Sequence, residues 1–354
     1  ASLHTMPAGE SYLVVGGCGF LGRHIVEQLL ARGETEVAVF DIVQRHFDNN
    51  VTFYIGDISK PEDVRNALEK SRATAVIHTA SPAHNLGPEI YQIVNVKGTR
   101  NIIDECLALS VKKLVYTSSG GVVYNGESDI VTADERLPYP AKALDAYNET
   151  KVAAEKMVLE ANGQNGLLTC AIRPAGIFGP GDRQMINGFY GVVKNNQTKF
   201  QIGDNSNLAD FTYVGNVAHA HLLAANADED TDGEEGGYPI AGQAFFITNG
   251  EPVYFWDFAR TVWRQLGHVP PYIIAMPAGV GLILATLAEI FSKLFGKEAG
   301  FTRFRVSQAV QNRYYDIEKA RRLLGYEPIV SLDEGMRRWT STRRRQNKLR
   351  RRRG

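Results

Sequence analysis

The run Gly16-Gly17-Cys18-Gly19-Phe20-Leu21-Gly22 follows directly on the apolar segment Tyr12-Leu13-Val14-Val15. It leads into Arg23-His24-Ile25-Val26-Glu27-Gln28-Leu29-Leu30, which is apolar at helical spacing. A buried strand, a glycine turn and a helix in that order leave few folds open. Such a unit turns backbone N–H groups and a helix N-terminus toward a pyrophosphate. Gly16, Gly19, Phe20, Leu21 and Gly22 are therefore candidate cofactor contacts. The spacing is Gly-x-x-Gly-x-x-Gly, which taken alone is equally an ordinary tight βα turn. The next apolar run, Glu36-Val37-Ala38-Val39-Phe40-Asp41, decides between them: Asp41 comes nineteen residues after Gly22. An acid at that place hydrogen-bonds the adenosine ribose hydroxyls. Its charge repels a 2′-phosphate, so the expected cofactor is NAD. Arg45, four residues on, keeps NADP open.

The rest of the chain repeats the alternation. Strands are expected near 12–16, 36–41, 51–55, 74–79, 113–117 and 168–173, and helices near 20–32, 60–71, 87–109 and 144–162. That order implies an α/β fold with a doubly wound parallel sheet of Rossmann type. Gly56-Asp57-Ile58 closes the third strand and places Asp57 toward the adenine edge. Ile58, Ala80 and Pro174 are counted with the cofactor contacts. The expected division is a dinucleotide-binding domain at 1–180 and a smaller C-terminal, mainly substrate-binding part at 181–336, with some strands returning to the core sheet. A basic tail follows at 337–354. Residues 230–240, polar and glycine-rich, read as a surface loop.

Composition narrows the class. With 44% hydrophobic and 22% charged residues the chain is globular. Its three cysteines, Cys18, Cys106 and Cys170, have no disulfide or metal spacing, which suggests a reducing compartment and no metal site. No secretory leader is visible at the start. The zero net charge hides an asymmetry: ten of 39 basic residues lie from Arg337 onward with no acid, leaving 29 basic against 39 acidic upstream. A body of that charge does not attract nucleic acid. The tail suits a contact with anionic headgroups, a nucleic-acid arm or a solubilising end.

The chemistry lies in Ser118-Ser119 and Tyr147-Asn148-Glu149-Thr150-Lys151. A secondary alcohol loses hydride to a nicotinamide only if its O–H proton also leaves. Tyr147 can take that proton as phenolate, but an unperturbed tyrosine has a pKa of about 10. Lys151 lies one helical turn on, on the same face. Its cation is expected to favour the phenolate and to hold the nicotinamide ribose, which adds Lys151 to the cofactor contacts. Ser119 is expected to hold the substrate oxygen, with Ser118 as the alternative register. Tyr and Lys at this spacing are common on helices; the glycine turn and Ser119 upstream make the set specific. Tyr147, Lys151 and Ser119 are the catalytic candidates, and Ser119, Tyr147 and Arg183 the substrate candidates. Arg183 ends the turn-rich stretch from Arg173 and is offered for an anionic substrate group; Arg173 reads equally as an internal ion pair. Asn95 lies on a helix that backs the site or simply anchors itself there.

These residues resemble the extended short-chain dehydrogenase/reductases, and within them the 3β-hydroxysteroid dehydrogenase group. The resemblance runs from about Tyr12 to Met336 and tightens at Asp145–Lys151, Arg173–Gln184, Lys199–Asn205, Asp210–Val217 and Phe245–Asn249. It is closest to the sterol C4-demethylation branch, in its ergosterol form. It implies Tyr147 as acid/base, Lys151 as its partner and Ser119 as the third member. It implies oxidation of the 3β-hydroxyl of a 4α-carboxysterol to the ketone, with loss of CO2. It also implies other C4-demethylation enzymes as partners and the cytoplasmic face of the endoplasmic reticulum membrane as location, and allows a homodimer. The Arg-rich end is outside the group's catalytic pattern. Alternatives on the same scaffold are a sugar-nucleotide epimerase or dehydratase and a silent NAD-binding scaffold.

A sterol must be collected from a membrane. The longest apolar tract, Pro277 to Ala288 within 272–295, is interrupted by Glu289 and Lys293. That is short for about 30 Å of hydrocarbon. A helix lying in the interface is expected, against a buried core helix as the plain alternative.

Overall fold

The computed structural model describes residues 10–47, 51–83, 86–227, 240–295 and 301–353. The loop expected at 230–240 lies, up to residue 239, outside the described residues, as does the chain's start at 1–9.

Seven strands form one parallel sheet. They are β1 (Tyr12–Val15), β2 (Val37–Asp41), β3 (Thr52–Ile55), β4 (Ala75–His78), β5 (Lys113–Thr117), β6 (Leu168–Pro174) and β7 (Gln243–Ile247), in the order β7-β6-β5-β4-β1-β2-β3. The order reverses beside β1, which puts the ligand crevice at the carboxyl ends of β1 and β4. The first six strands lie where the alternation placed them. The seventh had no place in that strand order, though strands were expected to return from beyond residue 180: it comes back to the sheet through Ala244-Phe245-Phe246-Ile247, which pairs with β6. Those four residues are buried, so the run is apolar throughout rather than alternating.

Helices cover both faces. On one side α1 (Phe20–Ala31) packs against α5 (Val214–Asn226), around Ile25, Leu29, Val217 and Leu222. On the other lie α2 (Pro61–Ser71), α3 (Thr99–Ala108) and α4 (Ala146–Glu160), around Val64, Ile102, Ala154 and Val158. Helix α2 illustrates the local causes: Pro61 opens it, Glu62 and Asp63 sit in its first turn and Lys70 in its last, each matching the helix dipole. The single helix expected at 87–109 is three joined pieces: a turn at Pro88–Tyr91, a π-helical segment at Gln92–Gly98, and α3. Gly98 lets Ile58 approach there, since a β-carbon would stand 2.6 Å from its side chain.

The remaining elements gather beyond β6 and β7. The short strand Phe200–Ile202 pairs with Ile274–Met276 and supports α6 (Ala278–Leu294). Helix α6 rests on the molecule at Ala285 and at Gly281, which faces Ile202 and Val306. Its other side is open. The basic end continues a helix, α7 (Leu332–Arg353), whose Met336 and Trp339 are buried in the main core. All three cysteines are free and buried.

Candidate active site

The glycine turn is as tight as a dinucleotide cradle requires. Gly16 has φ +79°, and a β-carbon there would stand 2.7 Å from the backbone nitrogen of Ala80. At Gly22 it would stand 2.2 Å from the Gly16 carbonyl oxygen. No side chain fits at either position, so the first turn of α1 lies directly on the end of β1. No side chain caps α1, which leaves the amides of its first turn facing the crevice. Asp41 ends β2 and accepts from the Cys18 amide at 2.9 Å, tying the second strand to the turn. These features fit a dinucleotide: the pyrophosphate would meet the first turn of α1 and the ribose would meet Asp41.

The other expected cofactor contacts line the same sheet edge. Phe20 is half-buried and Leu21 buried in the first turn of α1. Asp57 follows β3 and accepts from the Ser59 amide at 2.8 Å. Ile58 is buried against Gly98. Ala80 lies against Gly16, and Pro174 ends β6. Arg183 is exposed and sits on this side too. Burial first, then the charges of Arg23, Arg45 and Arg183, hold His46 below its usual range. The structure thus groups Arg183 with the cations around the end of β2.

Tyr147 and Lys151 occupy the first turns of α4, where Asp145 caps the helix by accepting from the Asn148 amide at 2.8 Å. Lys151 is buried. Its Nζ donates to the Thr117 carbonyl at 2.5 Å and lies 4.3 Å from the centre of the Tyr116 ring. Burial pulls the ammonium down to about 7, opposed by the charge of Glu155. Burial pushes Tyr147 up to about 12, opposed by a hydrogen bond with Ser81, while Asp145 and Tyr91 add to the rise. In the protein alone the Lys151 ammonium points along the end of β5 to Thr117.

Ser119 directs its Oγ into the turn Gly120–Val123, accepting from the Gly121 amide at 3.0 Å, so its proton remains for another acceptor. A β-carbon at Gly121 would meet Asn148 Oδ1 at 2.3 Å and Ser119 Oγ at 3.3 Å, which shows how closely this turn lies on the start of α4. Ser118 is buried and its Oγ has no hydrogen-bond partner among the described residues. The structure therefore brings Ser119, Tyr147 and Lys151 to one end of the sheet and turns Ser118 inward. Arg173 is internal: it pairs with the buried Glu155 at 2.6 Å.

The groups behind this set were not foreseen. Thr117 receives Lys151, Thr150 bonds the Tyr147 carbonyl, and His221 stands behind Thr117. His221 accepts from Thr117 Oγ1 at 2.7 Å while its Nδ1 donates to the Val217 carbonyl at 2.8 Å. The edge of the Tyr91 ring meets Tyr147, with centroids 5.6 Å apart. Ser81 follows β4 within Ala80-Ser81-Pro82, a small polar residue after a buried strand, which is the only cue it offers. Asn95 both anchors its helix and backs the site, being bonded to Ser81 and Thr150.

Comparison with known proteins agrees with this geometry. The model of the 3-beta hydroxysteroid dehydrogenase/isomerase family matches residues 13–278. The chain is 51% identical to the decarboxylating sterol-4-alpha-carboxylate 3-dehydrogenase of Schizosaccharomyces pombe, over 94% of this chain and 98% of that protein. It is 47% identical to the enzyme of that name from Saccharomyces cerevisiae, over 92% and 96%. Among solved structures, UDP-glucose 4-epimerase of Thermus thermophilus in complex with NAD superposes with a TM-score of 0.71 at 26% identity, covering 94% of this chain and 99% of that one.

Proposed function

The chain belongs to the 3-beta hydroxysteroid dehydrogenase/isomerase family, and from that membership we propose that it oxidises the 3β-hydroxyl of a 4α-carboxysterol to the ketone, with loss of CO2, in sterol biosynthesis. It is an oxidoreductase using a nicotinamide dinucleotide. The observation that carries the chemistry is the convergence of Ser119, Tyr147 and Lys151 beside the glycine turn.

A bound nicotinamide would supply the hydride acceptor for C3. The chain's own residues handle the proton and the oxygen. Ser119 has a proton to donate to the substrate oxygen and so orients it. Tyr147 takes the substrate O–H proton. The product is a β-keto acid, and its carbonyl receives the electron pair released as the C4–carboxylate bond breaks. Tyr147, now protonated, and Ser119 both face that oxygen and stabilise the charge gathering on it. No further group is required for decarboxylation.

Asp41, the last residue of β2, supports NAD over NADP, because a carboxylate beside the adenosine ribose would repel a 2′-phosphate. Asp41→Ala is expected to lower kcat/KM for NAD⁺ and raise the relative use of NADP⁺; an unchanged ratio would mean that Asp41 does not face the ribose.

We propose the cytoplasmic side of the endoplasmic reticulum membrane as its location, and the apolar face of α6 supports contact with a membrane. Ile283 is 63% exposed, Phe291 57% and Leu294 74%, an apolar patch that water alone does not favour. No helix among the described residues is long and apolar enough to cross a membrane. Such a face suits a helix lying in the interface, where the substrate resides.

The direct test is purified protein with NAD⁺ and a 4α-carboxysterol, following NADH and CO2 together. Equimolar release of both is expected. NADH without CO2, or turnover of a UDP-sugar with no net NADH, would overturn the assignment and favour an epimerase.

A further inference from the structure

The turn that carries Ser119 is held from the C-terminal part of the chain. The short strand Arg313–Tyr315 pairs with Ile130–Ala133, which follows that turn. Tyr315 is buried there by three contacts. Its ring stacks on Phe246 with centroids 4.4 Å apart. Its amide donates to Asp210 Oδ2 at 2.9 Å. Its hydroxyl donates to the Gly120 carbonyl at 2.9 Å. A β-carbon on Gly120 would stand 3.0 Å from that hydroxyl oxygen, so glycine leaves the room for this approach.

The Gly120 carbonyl and the Gly121 N–H belong to one peptide unit. That N–H donates to Ser119 Oγ at 3.0 Å. One planar group therefore links the Tyr315 hydroxyl to the Ser119 hydroxyl. Turning the plane over changes only ψ of Gly120 and φ of Gly121. Both residues are glycine, so the backbone itself resists little. A turned plane would present its carbonyl to Ser119, which would then donate to it the proton meant for the substrate oxygen. Tyr315 holds the plane the other way, because turning it leaves a buried hydroxyl without its acceptor. The bonds also run in one direction. Tyr315 donates to the carbonyl, the N–H donates to Ser119 Oγ, and the Ser119 proton is left for the substrate. Each donor polarises the next, so the outermost proton becomes the better donor.

We infer that Tyr315 is a positioning residue for the oxidation: through the Gly120–Gly121 peptide it fixes and strengthens Ser119 as donor to the substrate oxygen. The inference rests on the reading of Ser119 as that donor, and it adds a residue of the C-terminal part to the set. Tyr315→Phe keeps the ring on Phe246 and the amide on Asp210 and removes only the hydroxyl. The expected result is a kcat lower by about threefold to tenfold, the range of one lost hydrogen bond. Binding of NAD⁺ stays as in the wild type, because the glycine turn at the end of β1 is untouched.

Two measurements test this. The first is a double-mutant cycle in kcat with Ser119→Ala. Tyr315→Phe slows the wild type and has no further effect once the Ser119 hydroxyl is gone. A merely structural role slows both backgrounds by the same factor. The second needs no substrate: amide hydrogen exchange of the whole chain, followed by mass spectrometry. Faster exchange in Tyr315→Phe is expected in the peptide spanning 119–124, with the rest of the chain unchanged. Equal slowing in both backgrounds, or unaltered exchange at 119–124, overturns the inference. So does faster exchange spread through the C-terminal part, which would make Tyr315 a support of the fold alone. A wild type that oxidises no carboxysterol, with exchange raised at 119–124 only, would uphold the peptide link and sink the substrate assignment.

Discussion

Tyr147→Phe binds NAD⁺ as the wild type does and oxidises carboxysterol about 10²–10⁴-fold more slowly, the range expected when a positioned general base is removed. The substitution is clean in this structure. The ring keeps its edge contact with Tyr91, with centroids 5.6 Å apart. The glycine turn and Asp41 lie at the ends of β1 and β2 and are untouched. The pH profile carries the sharper part of the expectation. Tyr147 sits at about 12 in the protein alone, so at neutral pH the reactive phenolate is scarce and the rate rises with pH. Lys151 acts against that rise: at about 7 it passes from ammonium to amine, and its charge is present below that point and lost above it. In Tyr147→Phe the rising limb of kcat/KM disappears with the hydroxyl. Turnover near the wild-type value, or a rising limb that survives, would show that another group takes the proton. Binding of NAD⁺, measured separately by calorimetry, distinguishes lost chemistry from a lost fold.

How much of this was legible before the structure depends on how local each cause is. The glycine turn is local. Strand, turn and helix are contiguous, and the crowding at Gly22 involves Gly16, six residues away. Tyr147 and Lys151 are also local, since four residues on a helix share a face whatever surrounds them. The direction of the Lys151 ammonium is not local. It depends on where β5 ends, and the Thr117 carbonyl that receives it belongs to a segment 34 residues upstream. The same holds for Ser81, Asn95 and Thr150. They come from the end of a strand, a π-helical segment and a helix, and no spacing in the chain announces their meeting. The π segment itself is hidden, because apolar residues through 87–109 keep a helical rhythm while the backbone widens at Gln92–Gly98. Strand β7 escaped for a different reason: a buried run of four apolar residues has no period to detect, and only its pairing with β6 identifies it. For α6 the composition was plain, but burial depends on what lies opposite. Contacts at Gly281 and Ala285 and the Glu289–Arg303 pair hold one side of the helix and leave Ile283, Leu287, Phe291 and Leu294 facing out.

That outward face gives the second large effect. Replacing Leu282, Ile283 and Leu284 with Ser is expected to reduce vesicle binding about a hundredfold at any salt concentration. The three side chains are 38%, 63% and 44% exposed, so substitution costs little packing inside the protein. Each contributes on the order of 1 kcal/mol of apolar burial when about half of its surface enters the interface. Three such terms amount to roughly two powers of ten in affinity. The basic end acts through charge instead. Arg343 stacks 4.6 Å from the Tyr190 ring centre and 5.6 Å from that of Trp339, so it belongs to the fold and a truncation should start beyond it. Deleting residues 346–354 removes Lys348 and Arg350–Arg353. Each cation near an anionic surface is worth about 1 kcal/mol at most, and the attraction falls off within a Debye length of about 8 Å at physiological salt. The truncated chain therefore binds anionic vesicles more weakly at low salt and like the wild type at high salt, with hydride transfer to NAD⁺ on detergent-dispersed sterol intact. Co-sedimentation of both variants with anionic vesicles at low and high salt separates the two contributions. Serine substitution lowers binding in both conditions and truncation in only one, because apolar contact is not screened and charge is. Equal sedimentation by the wild type and both variants would mean that neither segment meets the bilayer, and that the open face of α6 is covered by something other than lipid.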